Sequence, residues 1–277
     1  MSEPLYPVGH VARLLNMPQQ TVRYFDNTGL VVPYKAGALH GGKRRYSVYD
    51  IYRISTRQQY KNMGFSLDDA RSIMNACTLE QIENKVGMAE DELERDVRMA
   101  ELRLAGCRKF RERLSRIHLY GGRCFFMKRP ACWRHIHLTN GIFADDENSI
   151  RARSVAMDIM PLATYMFRFS LNDLANKSET GEYIWYLSIE SPYAEQAGLD
   201  MIPGTEAVPE ELCAYTVVNL GKTRAITPQM LSGAMDFVHA NGMRIRGDVL
   251  GNSIISARDG NGDIIRYFEA WLPVQEA

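Results

Sequence analysis

Gln19, Gln20, Arg23 and Tyr24 sit together on one short stretch, and Lys43, Arg44, Arg45 and Tyr46 follow as an unbroken run of hydrogen-bond donors. Gln and Arg read base edges through paired hydrogen bonds, and forked guanidinium groups suit phosphate oxygens. Together the two clusters are equipment for gripping a DNA duplex, the first to specify and the second to position. The elements that must hold them are legible around them. Val8, Val11, Leu14 and Leu15 keep helical spacing, and Asn16-Met17-Pro18 breaks the chain with Pro18 as the first residue of a second helix. In that helix Val22 and Phe25 share an inner face while Gln19, Gln20, Arg23 and Tyr24 project outward. Gly29-Leu30-Val31-Val32-Pro33 ends it and starts an extended run, and Gly41-Gly42 forms a hairpin tip before the cations: a basic wing.

Charge is distributed accordingly. The net charge of +0 over 277 residues conceals +5 on residues 1–76, 0 on 77–120 and −5 on 121–277, so the first segment is the one suited to a polyanion. A helix over 48–63 ended by Gly64, and another capped by Ser66 with Asp69 three residues on, close this first domain. Arg53, Arg57 and Lys61 line one face of the former, either solvated or reaching the DNA backbone. From 78 to 118 the chain has no Pro, dense charge of both signs and apolar residues every three or four positions, which predicts one long helix. Its a positions are Leu79, Val86, Leu93, Ala100, Cys107 and Leu114. Its d positions are Ile82, Ala89, Asp96, Arg103, Phe110 and Ile117, so the seam is apolar at both ends and drifts in the middle to Val97 and Leu104. At about 1.5 Å per residue such a helix is ~60 Å long, more than a small domain covers, and a partner helix is implied.

The N-terminal stretch resembles the MerR family of bacterial transcription regulators. The resemblance rests on Val8-Gly9-His10-Val11-Ala12, Thr21-Val22-Arg23-Tyr24-Phe25-Asp26, Gly29-Leu30 with Pro33, Arg44 and Tyr46, Asp50, and Gly64-Phe65-Ser66-Leu67-Asp68. It departs at Pro18, where the family carries a small polar cap, and at Lys43, where it carries an aromatic. The resemblance implies a homodimer through an antiparallel pair of the long helices. It also implies a pseudo-palindromic promoter as double-stranded DNA partner, and activation of RNA polymerase by distorting an overlong spacer, at a deformation cost of a few kcal/mol.

Beyond Gly121-Gly122, alternating patterns predict strands near 124–127, 132–138, 163–170, 183–191, 212–219, 244–256 and 263–272, and helices over 148–160 and 228–241. The overall expectation is an α+β protein: a winged helix-turn-helix domain over 1–76, a dimerisation helix over 77–120 and an α+β domain over 121–277. The order of elements in the last resembles the GyrI-like effector-binding domain, which implies a small organic effector held among aromatic residues. Tyr165, Phe167, Tyr183, Trp185, Tyr215 and Tyr267 supply those, each with an ordinary place in a core as its alternative. The resemblance also implies a buried carboxylate in the strand after the second helix, and the register puts Gly251 there. Either the effector is no cation or Asp248, Glu190, Glu182 or Glu269 stands in, and neutral or weakly basic planar compounds are the expected ligands.

Two other readings compete. Cys77, Cys124 and Cys132 imitate the thiol layout of metal-sensing relatives, which would make the chain a metal or redox sensor. Some effector-domain relatives are small-molecule hydrolases, but the sequence has no Ser/His/Asp signature, no phosphate-binding glycine loop and no clear carboxylate pair. The expectation is therefore no enzyme, no cofactor and no bound metal. His135 and His137 share a strand face without a ligand-spaced acid or thiol and are expected at the sheet surface. Five irregularly spaced cysteines and the lack of any run of eighteen apolar residues point to a reducing cytoplasm and no membrane insertion.

Overall fold

Two helical periodicities and one glycine-terminated turn generate the N-terminal unit. The computed structural model describes residues 3–35, 44–176, 184–221 and 226–277, and its contacts divide the chain into two units, Met1–Val97 and Arg98–Ala277. In the first, β1 (Tyr6–Pro7) leads into α1 (Val8–Leu14) and α2 (Gln19–Asn27), and β2 (Tyr34–Lys35) and β3 (Arg44–Tyr46) complete a three-stranded sheet with β3 central. Pro18 caps α2 rather than opening it. Gly29, at φ 72°, makes the turn after α2 that an L side chain would strain. α3 (Val48–Asn62) starts in a reciprocal capping box between Ser47 and Asp50, and α4 (Leu67–Ala76) starts where Ser66 accepts from the Asp69 amide. Val11, Val22, Phe25, Leu30, Tyr46 and Ile54 are the core that these elements share.

α5 (Leu79–Tyr120) runs 42 residues from a reciprocal Thr78–Gln81 cap. Of its predicted seam, Leu79, Leu93, Ala100 and Cys107 are exposed while Val86 and Leu114 are half-buried. The face turned to its own chain is a different one. Met99, Leu102, Gly106, Arg113 and Ile117 recur at helical spacing and pack within the second unit. Gly106 allows a close approach, since a Cβ there would lie 3.2 Å from Pro161 Cδ.

The second unit is an α+β fold around a ten-stranded antiparallel sheet. Its elements are β4 (Cys124–Arg129), β5 (Cys132–Thr139), β6 (Ile142–Phe143), α6 (Glu147–Asp158), β7 (Thr164–Phe169), α7 (Leu171–Asn176), β8 (Ile184–Glu190) and α8 (Ser191–Ala197). β9 (Thr205–Val208), β10 (Glu211–Asn219), a 3₁₀ turn over Pro228–Leu231, α9 (Ser232–Ala240), β11 (Met243–Ile245), β12 (Val249–Arg258) and β13 (Ile264–Glu276) follow. The strand order is β4-β10-β13-β12-β7-β8-β5-β6, with β11 paired to β13 and β9 to β5. On one face the 3₁₀ turn and α9 bury Leu231, Ala234 and Val238 against Phe167, Phe268, Ala270 and Leu272. On the other, Ile117 and Tyr120 of α5 pack against Tyr215, Val217 and Trp271.

The seven strands and two helices expected from alternation are all present, and β6, α7, α8 and β9 are additional. The strand expected over 244–256 breaks into β11 and β12 at Arg246-Gly247-Asp248. His135 corrects its expected surface place: it is 4% exposed and bonds Thr205 Oγ1 and Ser149 Oγ, because β9 and α6 cover the strand face that a lone alternation leaves open. Gly251 pairs with Ala270 and therefore faces α9, where a Cβ would enter the Phe167 ring and sit 2.8 Å from the Glu269 carbonyl oxygen. Gly251→Ala should cost about 2 kcal/mol by overpacking. A lowered chemical-denaturation midpoint, partly restored by adding Phe167→Leu, is the expected result, and an unchanged midpoint would mean that the ring moves freely.

Candidate functional site

In the N-terminal unit the amphipathic α2 sorts its side chains as its period demands. Val22 and Phe25 are buried, and Gln19, Gln20, Arg23 and Tyr24 are exposed on the opposite surface. The helix is held in place from behind. Arg53 Nε donates to the Leu30 carbonyl (3.0 Å), Arg57 lies over the Phe25 ring (5.2 Å from the centroid) and Arg71 Nη1 donates to the Thr28 carbonyl (3.1 Å). Arg53 and Arg57 thus serve the helix pair itself.

At the wing, Arg45 is exposed, whereas Arg44 is tied down: its Nε is 2.9 Å from Asp26 Oδ2 and its Nη2 donates to Asn27 Oδ1 (3.3 Å). This pair fixes β3 to the C-terminal end of α2. Tyr46 corrects the expectation of a phosphate contact: it is 0% exposed, because the alternation of β3 turns it into the core between Arg45 and Ser47. Burial, and next the Asp26 carboxylate, push its hydroxyl pKa up. Lys43 lies outside the described residues.

In the second unit a carboxylate is buried where β13 faces α5. Glu269 is 2% exposed, flanked in sequence by Phe268 and Ala270, and both of its oxygens are engaged. Oε1 accepts from Asn252 Nδ2 (3.2 Å) and lies 4.0 Å from Arg113 Nε; Oε2 accepts from the Tyr215 hydroxyl (3.1 Å) and Arg116 Nη1 (3.3 Å). Burial opposes the Arg116 charge, but Glu269 and then Tyr215 outweigh it and raise its pKa. The Tyr215 hydroxyl is pushed up by burial and by Glu269. A cavity of about 40 Å³ adjoins this cluster, walled by Arg113, Arg129, Thr164, Ser188, Glu269 and Trp271 among others.

The expected aromatic residues do not line that cavity. Phe167 and Trp185 belong to the α9 face, Tyr165 packs under α6 and α8, and Tyr215 and Tyr267 sit in the core beneath α5, with only the Tyr215 hydroxyl reaching Glu269. Tyr183 and Glu182 lie outside the described residues. Among the alternative acids, Glu190 pairs with Lys109 at the rim (2.9 Å) and Asp248 is 3.7 Å from Arg168. Gly251 faces α9, and the cavity-facing position next to it is Asn252, the cross-strand neighbour of Glu269. Arg113, Arg116 and Asn252 were not anticipated. A lone Glu within Tyr267-Phe268-Glu269-Ala270-Trp271 was the available sign, since a charge inside an apolar strand needs a partner.

Cys124 and Cys132 lie on β4 and β5, separated in the sheet by β10, β13, β12, β7 and β8, which at about 4.8 Å per strand spacing is far beyond a shared metal ion. Burial pushes the Cys124 thiol up to about 11 and raises Cys132 as well, which disfavours the thiolate a soft metal binds. Among the described residues no group of three His, Cys, Asp or Glu is placed to hold a metal, and no helix is long and apolar enough to cross a membrane.

Residues 6–77 match the family described as "MerR HTH family regulatory protein". Over 70 residues the chain is 34% identical to the HTH-type transcriptional activator TipA of Streptomyces coelicolor, covering 25% of this chain and 27% of that protein. Over 67 residues it is 29% identical to the HTH-type transcriptional regulator HmrR of Rhizobium leguminosarum bv. viciae, covering 24% and 50%. The chain therefore spans between about a quarter and a half of these relatives. Among solved structures it is similar to EcmrR in a DNA complex within an open promoter assembly (14% identity, 98% of this chain and 100% of that, TM-score 0.36). It is also similar to the N-terminus of the Bacillus subtilis multidrug transporter activator Mta (24% identity, 38% and 96%, TM-score 0.32).

The Asp26–Arg44 pair gives a direct test of how the wing is held. With Arg44 about a third exposed, solvent screening limits the pair to about 1 kcal/mol. Asp26→Ala should lower the unfolding free energy by that amount, read in urea as a fall in the midpoint at unchanged m; a change within error would show that the sheet pairing of β3 alone fixes the wing.

Proposed function

We propose that this chain, whose residues 6–77 form a MerR-type helix-turn-helix domain, is a transcription regulator that binds promoter DNA as a homodimer and responds to a small organic molecule in its second unit. The observation that carries the reading is the exposed row Gln19, Gln20, Arg23 and Tyr24 on an α2 whose other face is locked into a core. A helix presented in this way suits the major groove. Arg45, exposed on the wing strand, is placed for a phosphate, and Arg44 acts as a positioning residue through Asp26. On this reading Arg23→Ala weakens operator binding and relaxes its sequence preference. Arg45→Ala weakens all duplexes alike and lowers the salt slope by about one unit. Fluorescence anisotropy with the chain's own promoter and a scrambled duplex at several salt concentrations is the measurement, and two variants with wild-type affinity would remove α2 and β3 from the DNA surface.

The dimer reading is supported by the stripe Leu93, Val97, Ala100, Leu104 and Cys107, exposed at helical spacing on α5. Burying these five side chains against a second copy of the helix removes apolar surface from water at roughly 25 cal/mol per Å². Leu93→Asp with Leu104→Asp would place charges in that seam without partners. Sedimentation should then show monomers that no longer bind the operator, and a persistent dimer would place the interface elsewhere.

The sensor reading is supported by a polar cavity beside a buried carboxylate in a sheet-rich domain. Native mass spectrometry of the full chain purified from its host should show a small-molecule adduct, and operator affinity should change when the adduct is stripped.

A further inference from the structure

We propose that the cavity beneath α5 takes the oxyanion head of an organic acid, a carboxylate or a phosphate, and that Glu269 is a fixed internal counter-ion rather than the group that receives a cation. The inference rests on the sensor reading above and specifies the ligand class of the same site.

Size is the first argument. A water needs about 10–15 Å³ of such space, so the cavity of about 40 Å³ has room for about three waters. That is the bulk of a carboxylate or phosphate head and not of an aromatic dye.

Charge is the second. Lys109, Arg113, Arg116 and Arg129 face Glu112, Glu190 and Glu269 around the cavity, and Glu211, shared by Arg129 and Arg246, lies behind its wall. The carboxylates are already taken: Glu269 by Asn252, Tyr215, Arg116 and Arg113, Glu190 by Lys109 (2.9 Å), and Glu112 by Arg116 (2.7 Å). A ligand cation would have to displace a guanidinium from Glu269 and leave that guanidinium buried without its partner, which is the expensive direction.

Unused donors are the third. Arg129 is 4% exposed, and while its Nη2 reaches the Pro209 carbonyl (3.0 Å) and Glu211 (3.3 Å), its buried Nε has no hydrogen-bond partner among the described residues. Arg113, 8% exposed, makes a single hydrogen bond among the described residues, from Nη1 to the Pro161 carbonyl (3.2 Å). Two buried guanidinium groups with spare N–H donors on the wall of one small cavity call for an acceptor, and an oxyanion supplies charge-assisted ones. The hydroxyls of Thr164 and Ser188 on the same wall suit either ligand charge.

The test is isothermal titration of the full chain with benzoate, phenylphosphonate, benzylammonium and benzyl alcohol. Benzoate or phenylphosphonate should bind at least 10-fold more tightly than the other two, and the stronger of them identifies the head group. Arg129→Met, with its fold checked by circular dichroism, should weaken that binding at least 10-fold. Glu269→Gln, where it folds, should strengthen it by releasing Arg113 and Arg116. Benzylammonium as the tightest probe, or oxyanion binding unaffected by Arg129→Met, overturns the proposal while leaving ligand sensing intact. No heat with any probe also overturns it, and sensing itself falls only if the purified chain in addition carries no adduct.

Discussion

A carboxylate buried in the middle of a sheet must be compensated, and the compensation of Glu269 organises the second unit. Removing its charge from water costs several kcal/mol, which only close partners offset. Two of those partners, Arg113 and Arg116, come from α5, and two, Asn252 and Tyr215, from the strands either side of β13. The carboxylate therefore joins the helix to the sheet at one spot and fixes the rotation of α5 about its axis. Hydrophobic packing of Ile117 and Tyr120 alone would leave that rotation loosely specified, because apolar contact is non-directional. Gly106 adds to the constraint: the helix approaches the Pro161 turn closely enough that a Cβ there would be a tight contact, 3.2 Å from the proline ring.

The N-terminal unit depends on a similar device at lower cost. α2 must show its polar row to solvent while its apolar row stays in a core of eight buried residues. The three arginines behind it do this through carbonyl oxygens and a ring face. Arg44 and Asp26 then tie the strand of the wing to the end of the helix, so the exposed donors of both elements are held by the same small core.

The elements were legible because their periods are strong. Val8 to Phe25 repeats at helical spacing, and 212–219 and 263–272 alternate cleanly. Faces were less legible. A period of two says that Gly251 and Asn252 point opposite ways but not which face each element covers, since α5 lies far from β12 in sequence and α9, though close to it, could pack on either side. The expected aromatic residues divide between faces for the same reason: Phe167 and Trp185 pack on the α9 side, while Tyr215 packs on the α5 side. Tyr46 illustrates the local version, where a run of polar-looking positions alternates and its last residue turns into the core. His135 was hidden by β9, a strand too short and too exposed at Glu206 and Ala207 to announce itself.

α5 draws these threads together. It is a dense heteropolymer of charge and apolar residues whose single seam, read as a heptad, suggested a helix devoted to a partner chain. Folded, it carries two faces: Met99, Leu102, Gly106 and Arg113 belong to its own domain, and Leu104 and Cys107 remain exposed. These residues interleave along one rigid rod, so a displacement of the inner face moves the outer face with it. On the proposed reading, a ligand drawing on Arg113 acts at the contact that sets the rotation of this helix, and a helix interface is sensitive to rotation because knobs and holes must stay in register. The buried ion cluster thus links the chemistry of the cavity to the geometry of the seam without any further moving part.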